Sequence, residues 1–359
     1  MITQLVRKQI RDMEEINWGD IPDTTGMRLL WGENQELIKL YKKALRSEIN
    51  KVNLYPSPTK NRLKKNIARY NNVSADAIIP TNGSDEALEL IAKVFIAEGD
   101  EVIIPVPSYP CFASVSQMMG AKISPILLEK DFSFSLEKIV KAVTKKTKII
   151  WIANPNNPTG NVLISQKDIE KFVQQIDCLI VFDECYFELS GVTAAQLTKK
   201  YNNVIVTRSF TKAFALGGAR LGYIIANRET ATYLNRLQQT NLVFNVNRFA
   251  QAAGNALLEQ PQTVKEVIER FKKFKSNFEK KLQKIPSLEV IPTKTTFCFM
   301  KLNAKITGKQ LKEKLAKANI FIKDCSIYQN LGSRYVYLGV PQKKYQMTVV
   351  NAIKKIIKE

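Results

Sequence analysis

One stretch of the sequence, residues 209–220, combines residue types that could do chemistry together. Lys212 follows two hydroxyl residues, Ser209 and Thr211, and Arg220 comes eight positions later, after two glycines. A lysine amine can hold an aldehyde as a Schiff base, and hydroxyls with an arginine are typical ligands of a phosphate group. A solvated loop lysine followed by a turn has the same pattern. The rest of the chain must therefore decide between a cofactor-binding lysine and an ordinary loop lysine.

The elements that must position these residues are indicated by short apolar runs rich in valine and isoleucine. The runs predict strands at residues 77–80, 102–104, 148–153, 179–182, 204–206 and 221–226, and helical patterns separate them. This alternation is typical of an α/β fold with a mostly parallel sheet covered by helices on both faces. Ligand sites of such sheets lie at the carboxyl ends of the strands, where Lys212 is expected.

The C-terminal part of the chain has a different pattern. A basic amphipathic helix at about residues 264–281 is followed by expected strands near 297–301, 320–323 and 335–339. Because 359 residues exceed the size at which one core usually splits, we expect two domains. We predict a large domain at residues 46–260 and a small α+β domain at residues 261–359, to which residues 1–45 contribute an N-terminal arm.

The composition excludes several kinds of catalytic site. The chain has no histidine, which excludes Ser-His-Asp and Cys-His catalysis and HExxH zinc sites. Its five cysteines are widely spaced and form no CxxC pair, so we expect neither a metal site nor a disulfide framework. Proton transfers would therefore be carried by lysine, aspartate, glutamate, tyrosine or cysteine, or by a cofactor.

The chain is strongly basic, with 54 Lys+Arg against 33 Asp+Glu and a net charge of +21. The lysines are spread thinly over the helical segments, and no zinc finger or RNP-type motif is visible, so we expect no nucleic-acid partner. General lysine enrichment of the surface and weak attraction of anionic substrates stay open as explanations. Since no signal peptide and no apolar run of about 18 residues is found, we expect a cytoplasmic protein without a membrane partner.

A second candidate phosphate site lies at residues 81–86. Small polar residues and two acids open a helix there, and Ser84 and Asp85 fall in its first turn. The free backbone amides of a helix start can bind a phosphate, although an ordinary capped helix has the same pattern.

Further motifs fall on successive loops of the predicted sheet. Residues 154–160 read NPNNPTG, Asp183 and Tyr186 form a D-E-x-Y motif, and Lys212 and Arg220 follow the next strand. With these motifs the chain resembles the pyridoxal-phosphate enzymes of fold type I, the aspartate aminotransferase superfamily. The resemblance covers essentially the whole chain. It implies a seven-stranded sheet in the large domain and pyridoxal 5′-phosphate as the cofactor.

The resemblance also implies a role for each motif residue. Lys212 would form the Schiff base and shuttle the proton, and Asp183 would keep the pyridine nitrogen protonated. Asn157 and Tyr186 would meet the phenolate oxygen, and Tyr109 would stack on the ring. The phosphate would be bound by Ser84, Asp85, Ser209, Thr211 and Arg220. Each of three residues also has a purely structural interpretation when it is considered alone. Asp183 could be a helix cap, Tyr109 a core residue and Asn157 a turn residue.

Within that superfamily the chain is most similar to the histidinol-phosphate aminotransferase family. The similar segments are residues 55–58, 83–86, 212–220, 245–247 and 323–326. In that family the tyrosine at the position of Tyr55 reaches the cofactor phosphate of the partner subunit, which implies an obligate homodimer with two shared sites. Residues 31–34 resemble the family's N-terminal substrate loop and make Asn34 a candidate substrate ligand.

Two positions depart from the pattern of that family. The family has an arginine at the positions of Lys323 and Tyr335, and the second of these arginines binds the substrate α-carboxylate. Arg334 is adjacent, but a one-residue offset in a strand turns a side chain to the opposite face. Either a local bulge brings Arg334 into the site, or the substrate is recognised differently, so all three residues stay candidate substrate ligands.

The predicted function is transfer of an amino group between glutamate or 2-oxoglutarate and a phosphorylated or aromatic partner by a ping-pong mechanism. One alternative is an aminotransferase for aromatic or other pathway-specific amino acids. Another is a decarboxylase of the threonine-phosphate decarboxylase type. A non-enzymatic regulator is a third, and the lack of a recognisable DNA-binding segment argues against it.

Overall fold

The larger of the two sheets found in the described residues forms the centre of the protein. A computed structural model describes residues 5–13 and 35–358. The seven strands of this sheet are β1 (Ile78–Thr81), β2 (Glu101–Val106), β3 (Lys122–Leu127), β4 (Thr147–Ala153), β5 (Leu179–Asp183), β6 (Val204–Ser209) and β7 (Gly222–Ala226). Their order is β1-β7-β6-β5-β4-β2-β3, and β7 alone runs antiparallel to its neighbours. The predicted mostly parallel sheet of seven strands is confirmed.

Helices cover both faces of this sheet. They are α1 (Lys8–Arg11), α2 (Gln35–Ile49), α3 (Asn61–Asn71), α4 (Gly83–Phe95), α5 (Cys111–Met118), α6 (Leu136–Ala142), α7 (Gln166–Val173), α8 (Phe187–Ser190), α9 (Arg228–Asn241) and α10 (Arg248–Leu258). Successive residues of β4 enter different core clusters, with Ile150 and Ile152 in one and Ile149 and Trp151 in the other. Burial on both faces explains why the central strands are continuous apolar runs rather than alternating ones.

A smaller antiparallel sheet lies in the C-terminal part of the chain. Its strands are β8 (Leu288–Ile291), β9 (Phe297–Leu302), β10 (Lys323–Asp324) and β11 (Tyr335–Gly339), in the order β10-β11-β9-β8. The accompanying helices are α11 (Pro261–Leu282), α12 (Gly308–Ala316) and α13 (Gln346–Lys358). The predicted domain boundary after residue 260 coincides with the start of α11, whereas the one after residue 45 falls inside α2.

Two strands were not predicted, and a third is displaced. The edge strand β3 contains Ser124 and Pro125 and is only partly buried, so it has no continuous apolar run to reveal it. Strand β8 is a short edge strand of the smaller sheet with one exposed charged residue, Glu289. The strand expected at residues 320–323 begins only at Lys323. Among the helices of the described residues, none is long and apolar enough to cross a membrane.

Candidate active site

An open cavity, of about 550 Å³ when the solvent at its mouth is included, lies where β4, β5 and β6 end and α4 begins. The structure brings ten of the predicted site residues together in its wall: Ser84, Asp85, Tyr109, Asn157, Asp183, Tyr186, Ser209, Thr211, Lys212 and Arg220. Ala153, Pro155 and Cys185 complete the wall and were not singled out in the sequence. These residues come from distant parts of the chain, and the sheet topology alone assembles them.

Asp183 is the last residue of β5 and is buried at the base of the cavity. Burial raises the pKa of its carboxyl to about 6, although the Cys185 backbone N–H donates to its Oδ1 at 3.1 Å and acts in the opposite direction. A cation placed against this carboxylate would favour its ionised form. The position therefore suits a protonated ring nitrogen.

Lys212 lies in the connection between β6 and β7. Its Nζ is 5.7 Å from the centre of the Tyr186 ring. Burial lowers the pKa of the Lys212 amine, while Cys185 and Asp85 act in the opposite direction. A lowered pKa increases the fraction of neutral amine, which is the form that attacks an aldehyde.

The start of α4 and the β6–β7 connection together form an anion cradle, which we define by Gly83, Ser84, Ser209, Thr211 and Arg220. Gly83 has a φ of +79°, and its carbonyl accepts a hydrogen bond from the Thr81 hydroxyl at 2.7 Å. The Thr211 backbone N–H donates to Ser209 Oγ at 3.1 Å. Helix-start amides, hydroxyls and a guanidinium are the donor set that a phosphate monoester prefers.

Asp85 ties two residues of the cavity wall together. Its Oδ2 accepts from Arg220 Nη2 at 2.9 Å, and its Oδ1 accepts from the Tyr109 hydroxyl at 2.9 Å. The Tyr109 ring packs edge-on against Phe112, with 5.8 Å between centroids. Phe112 in turn stacks on buried Trp151, with 5.4 Å between centroids and an angle of 8°. A row of aromatic rings therefore leads from the cavity into the core.

One polar atom of the cavity wall indicates a missing hydrogen-bond partner. The side-chain oxygen of Asn157 is buried and has no partner among the described residues. Because buried polar atoms are almost always hydrogen-bonded, this amide is suited to a cavity ligand that donates to its oxygen and accepts from its NH2 group. Together with Asp183, Lys212 and the anion cradle, it provides a partner for each polar part of pyridoxal 5′-phosphate, so the residues present fit that cofactor.

Tyr55 is not part of the cavity of its own chain. Its side chain is 76% exposed and stacks on Phe244, with 4.4 Å between ring centroids. Asn34, the other predicted ligand from the N-terminal region, lies outside the described residues. Both assignments therefore stay predictions.

The three candidate substrate ligands of the smaller sheet are not in the cavity wall. Strands β11 and β9 pair without a register shift from Tyr335 to Gly339, so the expected alternative of a local bulge in this strand is not found. The Arg334 guanidinium is exposed and donates to the Ala304 carbonyl. A regular pleat explains this, because neighbouring side chains of a strand point to opposite faces.

Tyr335 and Lys323 lie on the face of the smaller sheet that carries aromatic rings. Tyr335 packs against Phe299 and Phe132, with ring centroids 5.4 Å and 5.5 Å apart. Lys323 is opposite Tyr337 in the ladder, and burial lowers the pKa of its amine. This face approaches the cavity at Tyr186, whose ring is 5.9 Å from that of Phe297.

A buried ion pair behind the cavity was missed in the sequence. Glu184 and Arg208 are 1% and 2% exposed at their side chains, and their closest atoms are 2.8 Å apart. Arg208 also donates to Asn71 Oδ1 at 2.7 Å, and Glu184 accepts from the Ala194 backbone N–H at 2.6 Å. An arginine inside an apolar strand is the signal that could have revealed it, because a buried charge requires a partner.

No group of three or more Cys, Asp or Glu residues that could hold a metal ion occurs within residues 5–13 and 35–358. The family model described as "Aminotransferase class I and II" matches residues 26–335. The chain belongs to this family. It is therefore a pyridoxal-phosphate-dependent aminotransferase, which confirms the predicted family, enzyme class and cofactor.

Relatives of this aminotransferase include enzymes with more than one activity. It is 33% identical to histidinol-phosphate aminotransferase of Thermoanaerobacter pseudethanolicus over 335 residues, which are 92% of this chain and 93% of that protein. The crystal structure of histidinol-phosphate aminotransferase from Clostridium acetobutylicum matches with a TM-score of 0.81 and 26% identity, covering 89% of this chain and 95% of that one. L-threonine-O-3-phosphate decarboxylase from Porphyromonas gingivalis matches with a TM-score of 0.79 and 25% identity, covering 94% and 100%.

Proposed function

We propose that this aminotransferase exchanges an amino group between glutamate or 2-oxoglutarate and a phosphorylated or aromatic partner, in two half-reactions. Histidinol phosphate is the first candidate partner, because the histidinol-phosphate aminotransferase of Thermoanaerobacter pseudethanolicus matches most of this chain. The observation that carries the proposal is the convergence of Lys212, Asp183 and the anion cradle on one cavity. An amine, an acid and an anion site are the groups this chemistry requires.

The ten predicted residues of the cavity wall have proposed roles. Bound pyridoxal phosphate supplies an aldehyde and a protonated ring that withdraws electrons from the substrate α-carbon. Lys212 would hold the aldehyde and move a proton at the substrate α-carbon, Asp183 would keep the ring nitrogen protonated, and Tyr109 would pack against the ring. The Asn157 NH2 group and the Tyr186 hydroxyl would donate to the phenolate oxygen, and the phosphate would be held by the helix-start amides of Ser84 and Asp85 and by Ser209, Thr211 and Arg220.

We also propose a homodimer in which Tyr55 reaches the phosphate of the partner subunit. An exposed apolar patch on the described chain supports this proposal: Ile49, Val52, Leu54, Tyr55, Leu242 and Phe244. Exposed apolar groups concentrated on two neighbouring segments are typical of an interface. The two-domain division at residues 46–260 and 261–359, a cytoplasmic location and the lack of nucleic-acid or membrane partners belong to the same proposal.

A half-reaction screen tests the proposed substrates. Purified protein loaded with pyridoxal phosphate is mixed separately with histidinol phosphate, glutamate, phenylalanine and threonine phosphate, and the absorbance of the bound cofactor is followed. We expect glutamate and one phosphorylated or aromatic amine to change the spectrum. Lys212→Ala should fail to give the wild-type spectrum at all. A wild-type protein that stays colourless with added cofactor would contradict the proposal.

A decarboxylase is the second candidate, since the chain covers the whole of a threonine-phosphate decarboxylase at 25% identity. Product analysis separates the two reactions. Amino transfer yields a keto acid and retains all carbon atoms, whereas decarboxylation releases carbon dioxide. Release of carbon dioxide from threonine phosphate without a keto product would replace amino transfer by decarboxylation.

The recognition of the substrate carboxylate is a separate part of the proposal. An arginine binds a carboxylate through two parallel N–H donors, and neither Tyr335 nor Lys323 has such a pair of donors. We therefore propose that the second substrate is bound mainly through groups other than its α-carboxylate. The variant Tyr335→Arg should lower the KM for glutamate more than that for an amine without a carboxylate.

A further inference from the structure

A buried lysine lies beneath the exposed patch that carries Tyr55. Lys60 is 1% exposed, directly before α3, with a φ of +53°. Its Nζ donates to the carbonyl of Pro58 at 3.0 Å, to Gln238 Oε1 at 3.4 Å and to the carbonyl of Val243 at 3.4 Å. These three neutral acceptors match the three N–H donors of an ammonium group. Burying such a group is costly unless all its donors are used, so the arrangement demands an explanation.

The bonds of Lys60 join two segments of the surface. Pro58 belongs to the connector at residues 54–59 and Val243 to the loop at residues 242–245. Each segment carries one ring of the stacked pair Tyr55 and Phe244, whose planes differ by 19°. The ring pair lies on the outside and the Lys60 amine on the inside, so the two segments are held together at two depths.

The connector has further bonds, but none of those described joins it to residues 242–245. Arg248 donates to the Tyr55 carbonyl at 2.7 Å, and Gln251 donates to the Ser57 carbonyl at 3.2 Å. Both of these donors come from α10, and Gln239 of α9 donates to the Pro58 carbonyl at 3.4 Å. Two direct links between the connector and the loop are therefore described: the exposed ring stack and the hydrogen bonds of the Lys60 amine.

The inner end of this arrangement reaches the start of α4. Gln238 is fully buried and donates through Nε2 to the Pro80 carbonyl at 3.0 Å and to Glu86 Oε1 at 3.4 Å. Glu86 also accepts from the Asn82 backbone N–H at 2.7 Å and from Asn245 at 2.5 Å. The connector and the loop are thus anchored to the helix whose first turn contributes to the anion cradle.

We propose that Lys60 is a positioning residue for self-association: it holds the connector and the loop together and so presents Tyr55 and Phe244 to a second copy of the chain. This inference rests on the proposed homodimer and deepens it. Preorganised interface groups bind more tightly because less conformational freedom is lost on association. Lys60 touches neither the partner nor the cofactor in this role.

The charge of Lys60 makes the role measurable by pH. Burial lowers the pKa of the Lys60 amine to about 8; Lys64 acts in the same direction, and Glu86 raises it. Below this pH the ammonium has three donors for three acceptors, and above it one donor is lost. Association should therefore weaken between pH 7 and pH 9 in the wild type and change less in a variant without the amine.

The test compares Lys60→Met with Lys64→Met. Lys64 lies on the same side of the chain, one turn into α3, and donates to Asn235 Oδ1 at 3.3 Å. Sedimentation velocity of fluorescently labelled holoenzyme over a dilution series gives the dimer dissociation constant at pH 7 and pH 9. At pH 7 we expect Lys60→Met to raise this constant about tenfold, the size of the cost of ordering one or two flexible groups on association, and Lys64→Met to leave it within about twofold.

The possible outcomes separate the homodimer from the role of Lys60. A wild-type protein that sediments as a monomer at all concentrations overturns the homodimer and this inference with it. A dimeric wild type with Lys60→Met equally tight at pH 7 overturns only the role of Lys60. If circular dichroism shows that Lys60→Met is unfolded, the wild-type pH profile decides, because a dissociation constant that does not rise between pH 7 and pH 9 rejects the inference.

Discussion

At the scale of single residues, the cavity brings together an acid and an amine whose charged forms are both disfavoured by burial. The pKa of Asp183 is raised to about 6, and that of Lys212 is lowered. A ligand with a cationic ring nitrogen favours the charged carboxylate, and one with an aldehyde reacts with the neutral amine. Burial therefore favours the neutral amine that reacts with an aldehyde, and a cationic ring nitrogen would restore the charged form of the Asp183 carboxylate.

Asp183→Asn should abolish most of the activity while leaving the fold intact. The neutral amide cannot stabilise a proton on the ring nitrogen. We therefore expect the rate of the first half-reaction to fall by about 10²- to 10⁴-fold, the usual contribution of a positioned acid or base to catalysis. Stopped-flow absorbance of the loaded enzyme measures it. Asp177→Asn, at an exposed acid just before the start of β5, is the control and should behave as wild type. Activity retained in Asp183→Asn would refute the assignment.

At the scale of elements, the anion cradle depends on a close crossing between β7 and the start of α4. Gly222 pairs with Thr81 on one side and Ser209 on the other. A Cβ at Gly222 would lie 2.5 Å from the Gly83 carbonyl carbon and 2.7 Å from the Ser84 backbone nitrogen. The backbone of the cradle therefore passes over β7 at a distance that only glycine permits.

Gly222→Ala should weaken binding of pyridoxal phosphate more than binding of pyridoxal. Overpacking at this crossing displaces the Ser84 amide, and we expect a loss of ~1–3 kcal/mol for the phosphorylated ligand. Fluorescence titration of both ligands measures the difference. The control is Gly218→Ala, since a Cβ at Gly218 would meet nothing within 4 Å. Equal losses for both ligands would show that the crossing does not shape the phosphate site.

The ion pair of Glu184 and Arg208 fixes the ends of β5 and β6 behind the cavity. Arg208→Met leaves a buried carboxylate without its cation, and we expect the free energy of unfolding to fall by about 3–5 kcal/mol. Urea denaturation measures the loss. Arg62→Met breaks the exposed pair with Glu259, whose closest atoms are 2.9 Å apart, and should cost less than about 1 kcal/mol. Similar losses in both variants would contradict the structural role of the buried pair.

Sequence reasoning succeeded where local pattern and chemistry agree. The central strands of the large sheet are buried on both faces, so their apolar runs were visible, and the motif residues follow the ends of these strands. It failed at β3 and β8, which are edge strands with little apolar signal. It also left the pair of Glu184 and Arg208 unseen, because two residues 24 positions apart show no mutual distance in a sequence. The sequence alone also could not predict where the Arg334 side chain points, because this depends on the register between β11 and β9.

At the scale of the whole molecule, the proposed shared site makes activity a property of two chains. Lys212→Ala and Tyr55→Ala should each be inactive as homodimers. In a hybrid dimer, the subunit with Tyr55→Ala keeps Lys212 and receives Tyr55 from its partner. Random mixing should therefore restore about a quarter of wild-type activity, since half of the dimers are hybrids with one intact site.

The control for this hybrid experiment mixes Lys212→Ala with Asp183→Asn. Both residues line the cavity of one chain, so each site of the hybrid lacks one of them and no activity should return. Activity is measured after unfolding and refolding the mixed variants. Native mass spectrometry shows whether hybrid dimers have formed. If hybrids of Lys212→Ala and Tyr55→Ala are present but inactive, the shared site is excluded.

The row of rings from Tyr109 through Phe112 to Trp151 gives the protein an optical property. Trp151 is fully buried, and its indole N–H donates to Ser116 Oγ at 3.0 Å, so its emission is shielded from solvent. Pyridoxal phosphate absorbs light in the range where tryptophan emits, and a ligand beside Tyr109 would accept excitation energy from Trp151. With Trp18 and Trp31 changed to phenylalanine, quenching of the remaining tryptophan would report occupancy of the cavity directly, without any substrate or turnover.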